Sequence, residues 1–574
     1  MGRLLKYKDF YADTKPKEKF DLIKDIPRAE LIAAISAVNY IIKSPLDQNF
    51  NHSLRNQIKM IESIFLVHQN PENRKYIEKI VNELIKTFKD EGAGITVFTR
   101  VSCLYSQNEV IFSEKILYEE LSGFSYTLVH TENIFKFLLL SNEDLLSYNE
   151  EYSEITSNNL GEDFFEAFMF KEIPHNQYYY IQNPWNLLQR SFDLFQFIKH
   201  RYKDELEEFL QEYALDAPED YLGVIGNFLF GKSSVSQLHV FKVNKTETTT
   251  VNRLDKLSSR DEGKASAGIK KFEFLEVKKS PFYKIEGVEN NIYILMDSTF
   301  LIEKSYDLFF WDFYFDQLRP NGMNIKDWGN EVGQFFENYA DKIFKNAFKG
   351  HRDIIYKATD DLKVKGFEFA DFYIRRKRQI VLIQAKRSFV PQLNFKEVNS
   401  LADFNNLDKE EFYNRFGLYQ IVESTIETFF TYAPEIDPKL PKNKVFIYPV
   451  LLINEPIISM AVTQFIFNKK FEELLLAKKI ERNSSRIRID RLTILHINEL
   501  EKLEQSIQDK DIKLDNLLLQ YSQKREGSSQ NKYAPFTSMD NLIKSKINGK
   551  AIPKRNMKKD SGVYKQLISF TNPQ

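Results

Sequence analysis

The sequence is poor in the residues that form disulfide-linked or zinc-bound folds. Among 574 residues there is one cysteine, Cys103, and the eight histidines are scattered without a pair at a metal-ligand spacing. A single cysteine excludes a disulfide within the chain and a cysteine-based zinc site. We therefore expect a protein of a reducing compartment, the cytoplasm, with packed cores as its source of stability.

Long apolar segments and a strong net charge are also missing. No run of about 18 consecutive apolar residues occurs, which argues against a membrane-spanning helix and predicts no membrane partner. The formal net charge is −1, so composition alone does not indicate nucleic-acid binding. Residues 521–574, however, carry eleven Lys and Arg against three Asp and Glu. This segment can bind phosphate, and a solvated tail fits its composition equally well.

What is present is enough apolar sequence, 43% of the residues, for several domains. Residues 1–243 have helical spacing and predict a mostly helical domain, whose role as sensor, DNA-binding module or partner-binding module stays open. Residues 244–268 are polar and predict a linker or flexible loop, and residues 269–324 predict a β-rich lead-in. A domain with alternating elements follows at 325–515, and the basic tail occupies 516–574.

The domain at 325–515 alternates between helical and strand-like patterns. The predicted helices are about 328–348, 413–432 and 462–478, and the predicted strands are about 366–375, 379–386, 444–453 and 491–496. This alternation is typical of an α/β sandwich around a mixed sheet. The fold class is thus α/β, preceded by a mostly α-helical region.

Four polar residues interrupt the apolar pattern of this domain. Glu337 borders the apolar stripe of its helix, and Asp371 lies within the predicted strand 366–375, among aromatic and aliphatic neighbours. Gln384 and Lys386 end an apolar strand and, being two residues apart, project from the same face. A hairpin would bring that face beside Asp371. Acids and lysines in such surroundings are costly unless they are paired or bind a metal.

These residue types suit phosphodiester hydrolysis with a hard divalent cation. Mg²⁺ prefers oxygen ligands, which Asp371, the side chain of Gln384 and the carbonyl of Ala385 can supply. Glu337 can bind directly, through water or at a second metal, and Glu331 and Glu368 are close enough in sequence to compete for its role. Lys386 can orient or deprotonate an attacking water. The predicted catalytic residues are Glu337, Asp371, Gln384 and Lys386.

The order of these residues resembles the PD-(D/E)XK, restriction-endonuclease-like nuclease superfamily in its Gln-x-Lys, Mrr-like form. In that superfamily an acid on the first helix precedes a strand aspartate and a strand that ends in Glu/Gln-x-Lys. Ala370 replaces the proline that often precedes the aspartate, and Gln384 replaces the more usual glutamate. The resemblance covers about 170 residues.

The resemblance implies a three-layer domain with a mixed central sheet and the activity of a DNA endonuclease. It implies Mg²⁺ as cofactor, for which Mn²⁺ can substitute, and a role in restriction or antiviral defence. It also favours a homodimer, because cutting both strands usually needs two sites. Candidate DNA contacts are Arg375, Arg376, Lys377, Arg378, Arg387 and Gln420, for which a solvated turn or an ordinary helix position is the alternative.

Two other functions compete with the nuclease. Residues 226–233 match the P-loop pattern and raise the alternative of an NTP-dependent enzyme. The loop interior is bulky, however, and a helix-like stretch precedes it, so a helix end is the favoured interpretation. The second alternative is a catalytically inactive nuclease fold that binds DNA without cutting. A salt-bridged α/β core with no chemistry is the simplest interpretation of the polar residues.

Overall fold

The computed structural model describes residues 3–13, 15–43, 50–67, 71–91, 94–116, 124–151, 183–230, 239–259, 274–389, 408–526 and 537–547. The described residues up to 321 form one compact unit, and residues 322–547 form a second. Within these ranges, no helix is both long and apolar enough to span a membrane.

The first unit is mostly helical, as predicted for its N-terminal part, and contains two small sheets. Its helices are α1 (Arg28–Ile42), α2 (Leu54–Ile64), α3 (Arg74–Glu91), α4 (Arg100–Phe112), α5 (Leu128–Glu151), α6 (Pro184–Arg201), α7 (Lys203–Glu212), α8 (Pro218–Phe230), α9 (Thr248–Lys256), α10 (Leu275–Lys279), α11 (Ser298–Glu303) and α12 (Asp307–Phe313). Its strands are β1 (Arg3–Leu4), β2 (Ile95–Thr96), β3 (Val240–Asn244), β4 (Ser258–Ser259), β5 (Phe282–Ile285) and β6 (Asn290–Leu295). Strands β1 and β2 pair in parallel, and the larger sheet has the order β3-β6-β5-β4.

A buried ion pair ties the helices of this unit to its larger sheet. Nη2 of Arg100 in α4 lies 2.8 Å from Oδ1 of Asp297, which follows β6. Asp297 also caps α11 by accepting a hydrogen bond from the N–H of Phe300. Burial opposes ionisation of Asp297, but the Arg100 charge and these hydrogen bonds hold its pKa below the ordinary value.

Two predictions for the first unit differ from its structure, and a third agrees with it. In place of the linker or loop predicted at 244–268, residues 248–259 form α9 and β4, and residues 260–268 lie outside the described part. The lead-in predicted as β-rich contains β5 and β6 but is helical from Ser298 to Phe313. The first five residues of the P-loop-like segment lie inside α8, which agrees with a helix end; the other three lie outside the described residues.

The second unit alternates helices and strands, as predicted. Its helices are α13 (Ile325–Ala347), α14 (Lys409–Arg415), α15 (Leu418–Gln420), α16 (Phe429–Ile436), α17 (Ala461–Ala477), α18 (Ile497–Gln508), α19 (Leu514–Lys524) and α20 (Met539–Ile547). Its strands are β7 (Ile354–Ala358), β8 (Lys363–Val364), β9 (Phe367–Glu368), β10 (Phe372–Arg376), β11 (Gln379–Lys386), β12 (Val445–Ile453), β13 (Ile487–Ile489) and β14 (Thr493–His496).

The main sheet of this unit is mixed, with the order β7-β10-β11-β12 followed by β13 and β14 along the far side of β12. Strand β10 is antiparallel to both of its neighbours, β7 and β11. Strand β12 runs parallel to β11, β13 and β14. Parallel pairing brings the carboxyl ends of β11, β12 and β14 to one edge, where Lys386, Ile453 and His496 are in register.

Helices cover both faces of this sheet because β11 is apolar on both sides. Ile380 and Leu382 pack in one core with the helices between Phe412 and Leu475. On the opposite face, α13 lies against the sheet, with the rings of Phe344 and Phe372 5.1 Å apart. The side chain of Asn324 caps α13 by accepting from the N–H of Asp327. The apolar stripe of α13 is fully buried and consists of Phe336, Ala340, Ile343, Phe344 and Ala347.

Three predictions for the second unit need correction. The helix predicted at 413–432 is broken into α14, α15, a π-helical segment at Ile421–Ile426 and α16. Strands β7, β8 and β13 were not predicted, because β7 is a half-buried edge strand and β8 and β13 have only two and three residues. The tail predicted from residue 516 begins within α19 and includes α20, and residues 527–536 and 548–574 lie outside the described part.

Candidate active site

Three carboxylates from three segments meet at one edge of the main sheet. Glu337 of α13, Glu368 of β9 and Asp371 each offer an oxygen atom, and these atoms lie within 4.8 Å of one another. Asp371 is buried, whereas both glutamates are half-buried. We call these three residues the acidic group. The structure therefore brings the predicted Glu337 and Asp371 together and adds Glu368, while Glu331 is not part of the group.

Backbone hydrogen bonds fix Asp371 at the entrance to β10. Its N–H donates to the carbonyl of Ile383, and its Oδ2 accepts a 2.6 Å hydrogen bond from the N–H of Ala385. The contact with Ala385 places the carboxylate directly beside the Gln384-Ala385-Lys386 end of β11. Because Phe372 pairs with Ile383, the register puts Asp371 across from Gln384.

The side chain of Gln384 is fully buried and only half satisfied. Its Nε2 donates to Oγ1 of Thr425, 3.0 Å away, in the π-helical segment. Its Oε1 has no hydrogen-bond partner among the described residues. A buried amide oxygen without a donor is costly unless a ligand or water satisfies it.

Lys386 lies in the same site and is half-buried. Its side chain runs over Gly417, where a Cβ atom would stand 3.2 Å from both Cγ and Cε of the lysine. Gly417 has φ +81°, so the close approach and the backbone conformation both require glycine there. The Lys386 charge lies close enough to the acidic group to lower the pKa of Glu337 and Asp371.

Burial and mutual repulsion nevertheless favour the protonated acids. Burial and the neighbouring Asp371 charge raise the pKa of Glu337 to about 8, against the charge of Lys386 and a hydrogen bond from Thr359. Burial raises the pKa of Asp371 to about 6, although Lys386 and the Ala385 N–H favour its charged form. Two acids that hold protons near neutral pH can release those protons when a cation binds to their carboxylate oxygens.

The residues present fit a hard divalent cation. The acidic group offers only oxygen ligands, and the unsatisfied Oε1 of Gln384 adds a neutral oxygen on the adjacent strand. Mg²⁺ and Mn²⁺ prefer such oxygen donors, whereas zinc sites usually include His nitrogen or Cys sulfur ligands. Of the predicted ligands, Glu337 and Asp371 lie in the acidic group with Glu368, and Gln384 and Ala385 lie on the strand whose Ala385 N–H binds Asp371.

The predicted DNA contacts of the β10–β11 hairpin divide into two kinds. Arg375 is buried and pairs with Asp437, which also accepts from the hydroxyl of Tyr373. Arg376 forms two hydrogen bonds with the carboxylate of Asp515. These contacts favour a structural role for both arginines over the predicted DNA contact. Lys377 and Arg378 are the exposed members at the turn.

The other two candidate DNA contacts, Arg387 and Gln420, are not exposed. Arg387 is buried, with its guanidinium 5.0 Å from the ring centre of Phe389. Gln420 is half-buried at the end of α15, the helix that begins after Gly417. Neither position is an exposed cationic surface of the kind that backbone phosphates usually contact.

Sequence reasoning did not identify the residues that hold the carboxyl ends of the parallel strands. The N–H of Asn454 donates to the carbonyl of Lys386, and the Asn454 carbonyl lies 2.8 Å from Nε2 of His496. Nδ1 of His496 accepts from the N–H of Asn498, so both ring nitrogens are engaged. His496 therefore braces this edge and is not placed as a metal ligand. A histidine that ends an apolar strand was the one signal for it in the sequence.

Comparison with known proteins found no matching family model, no matching curated protein and no matching solved structure.

Proposed function

We propose that residues 325–515 are a metal-dependent nuclease domain of the restriction-endonuclease-like type that hydrolyses phosphodiester bonds in DNA. The observation that carries this proposal is the acidic group of Glu337, Glu368 and Asp371 beside Lys386. A divalent cation, an attacking water and a phosphate need oxygen ligands and a positive side chain in one place. Mg²⁺ is the proposed cofactor, and Mn²⁺ is expected to substitute for it.

The order of elements supports the same proposal. Helix α13 carries Glu337, β10 begins directly after Asp371, and β11 ends in Gln384-Ala385-Lys386. The resemblance to PD-(D/E)XK nucleases implies this order, a mixed central sheet and helices on both of its faces. The proposal further includes the cytoplasm as compartment, a homodimer that cuts both strands, and a role in restriction or antiviral defence.

Each residue has a role that follows from its contacts. Asp371, held by the N–H of Ala385, and the two glutamates present carboxylate oxygens to one point. Lys386 can hold the attacking water and place its charge beside the phosphate. When bound, a divalent cation would neutralise phosphate charge and lower the pKa of a neighbouring water.

Incubation of the full chain with plasmid DNA tests the proposal. We expect cleavage with Mg²⁺ and none with EDTA. Lys386→Ala and Asp371→Asn should each lower the rate by at least about 100-fold, because a general base or charge-stabilising group commonly contributes that much. Cleavage that persists in EDTA or in both variants would contradict the assignment.

A matched pair of glutamates tests the role of Glu368. Glu368→Gln should raise the Mg²⁺ concentration needed for half-maximal cleavage by about tenfold or more, the usual effect of weakening a metal site. Glu331→Gln serves as the control, because Glu331 precedes Glu337 on the same helix but lies outside the acidic group. Equal effects of the two variants would remove Glu368 from the proposed site.

Other outcomes would favour the competing functions. DNA binding without cleavage, unaffected by Asp371→Asn, would support an inactive nuclease fold. Cleavage that requires ATP and is lost in Lys232→Ala would support the P-loop interpretation. Cleavage by a monomer would leave the nuclease proposal intact and contradict the homodimer.

A further inference from the structure

The hydroxyl of Thr425 links Gln384 to the segment that carries the acids. Oγ1 of Thr425 accepts from Nε2 of Gln384 at 3.0 Å and donates to the backbone carbonyl of Phe369 at 2.8 Å. Thr425 and Gln384 are completely buried. Phe369 directly follows Glu368 and stands two residues before Asp371. Two hydrogen bonds therefore connect the glutamine to the backbone between two members of the acidic group.

The number of hydrogen atoms determines which end of the Gln384 amide faces Thr425. A threonine hydroxyl has one hydrogen, and the carbonyl of Phe369 can only accept, so that hydrogen goes to Phe369. Thr425 then remains an acceptor for Gln384, which must present its NH₂ group. The oxygen Oε1 consequently faces away from Thr425, where it is buried and has no partner among the described residues.

The π-helical segment Ile421–Ile426 places this threonine. Segments of this kind are rare and frequently occur at functional sites. Here Ile421, Val422 and Ile426 remain in the hydrophobic core while Thr425 reaches both β11 and the acidic segment. The backbone irregularity thus coincides with the residue whose hydroxyl is hydrogen-bonded to Gln384 and Phe369.

We propose that Thr425 is a positioning residue, which selects an amide at position 384 and turns its oxygen toward a divalent cation held by the acidic group. The inference rests on the proposed function, because it requires a cation at this site. A carboxylate at position 384 would face a lone pair of Thr425. It would need either a proton of its own or the hydrogen that now satisfies Phe369.

Mn²⁺ binding to the full chain, measured from the spectrum of free Mn²⁺ by electron paramagnetic resonance, tests the inference. Thr425→Val keeps the shape of the side chain and removes the hydroxyl, and we expect it to weaken Mn²⁺ binding by about 10- to 100-fold. Thr425→Ser keeps the hydroxyl and should bind as the wild-type chain does. Thr428→Val is the matched control, because the Thr428 hydroxyl donates to the carbonyl of Ser424, four residues earlier, and not to the site.

Gln384→Glu separates positioning from packing. Alone, it brings a carboxylate against Thr425 and should weaken Mn²⁺ binding. Combined with Thr425→Val, the conflict disappears, so the double variant should bind Mn²⁺ more tightly than Gln384→Glu alone. Thr425→Val is thus expected to weaken Mn²⁺ binding when residue 384 is glutamine and to strengthen it when residue 384 is glutamate. A simple loss of packing would weaken binding in both cases. If Thr425→Val does not fold, Thr425→Ala removes the same hydroxyl without adding a methyl group.

The outcomes distinguish this inference from the proposed function. A folded Thr425→Val or Thr425→Ala variant that binds Mn²⁺ as the wild-type chain does overturns the role of Thr425. Equal affinity of Gln384→Glu in both backgrounds also overturns it. A wild-type chain that binds no Mn²⁺ overturns the proposed function together with the inference.

Discussion

At the scale of single residues, protons on Glu337 and Asp371 would compete with the proposed cation for the same carboxylate oxygens. Both acids are raised in pKa, chiefly by burial, to about 8 and about 6, so one or both hold a proton at neutral pH in the metal-free protein. Because their charges interact, the protons belong to the pair more than to either residue. The proposed cation would have to displace these protons, so its affinity is expected to depend on pH.

We expect the affinity for Mn²⁺ to rise as the pH increases from about 6 to about 8 and then to level off. Isothermal titration calorimetry in buffers of different ionisation enthalpy should detect proton release over the same window. Glu337→Gln leaves a single titrating acid in place of the coupled pair, so its weaker affinity should level off at a lower pH than that of the wild-type chain. Affinity that does not change with pH in the wild-type chain would contradict this account.

The same pKa shifts make the metal-free fold less stable as the pH rises, whereas the affinity for Mn²⁺ is expected to increase with pH. The ordinary values are 4.5 and 3.8, so the folded chain binds more protons than the unfolded chain between those values and about 8. The extra proton binding stabilises the folded chain. This stabilisation is fully present below the pKa values of the unfolded chain and is lost as the pH rises through the pKa values of the folded chain. Glu303 and Glu499, whose pKa burial also raises to about 8, contribute to the same trend.

Individual site residues were predictable where they break a strong local pattern. Asp371, Gln384 and Lys386 are polar residues in or beside apolar strands, and β11 has the predicted bounds. Glu368 was named only as a competitor, because one glutamate in a two-residue strand has no distinctive neighbourhood. Thr425 gave no signal, since its role depends on a hydrogen bond to a residue 41 positions away.

At the scale of elements, Gly417 determines where α14 ends and how closely the next turn approaches Lys386. We expect Gly417→Ala to cost about 1–2 kcal/mol of unfolding free energy, because a non-glycine residue is strained at φ +81°. It should also displace Lys386 and lower the cleavage rate by about 10- to 100-fold. Urea denaturation and cleavage kinetics measure the two effects.

Gly350→Ala provides the matched control for this prediction. Gly350 also has φ +81°, but nothing lies within 4 Å of the position that its Cβ would occupy. The two variants should therefore lose similar stability, while only Gly417→Ala loses activity. Equal loss of activity in both would mean that backbone strain, and not the contact with Lys386, is responsible.

The β10–β11 hairpin carries structural and exposed cations side by side. Arg375→Met leaves Asp437 buried without its ion pair, and we expect a cost of about 3–5 kcal/mol in urea denaturation. Lys377→Ala and Arg378→Ala should change stability by less than about 0.5 kcal/mol. If the turn contacts DNA, each of these two should lower the slope of log affinity against log salt by about 1. An unchanged slope in both would exclude the turn as a DNA contact.

Helices and strands were predictable where a single hydrophobic pattern dominates the local sequence. The long apolar run of β12 was predicted within one residue of its observed start, and α13 and α17 are confirmed with shifted ends. The helix expected at 413–432 was wrong as a single element, because helical periodicity continues across Gly417 and the π-helical segment. Only the packing of Lys386 and Thr425 shows why the helix is interrupted there.

At the scale of the whole molecule, sequence composition placed a linker at 244–268, inside what the structure shows to be the first unit. The polar stretch after residue 243 suggested a linker, yet α9 and β4 within it pack with β3, β5 and β6 in the first unit. Polarity there belongs to the exposed face of a short helix: in α9 only Leu254 is buried. The pairing of strands distant in sequence is what joins these segments, and local composition does not report it.

Two units with separate hydrophobic cores should unfold in two calorimetric transitions. Saturating Mn²⁺, at about 100 times its dissociation constant, should raise only the transition of the second unit by about 5–10 °C, because a ligand stabilises the fold that binds it. Asp371→Asn should abolish that shift. Asp297→Asn, which breaks the buried pair with Arg100 in the first unit, should lower the other transition and leave the Mn²⁺ shift unchanged. If Mn²⁺ instead raised the transition that Asp297→Asn lowers, the cation would bind in the first unit and the acidic group would not be its site.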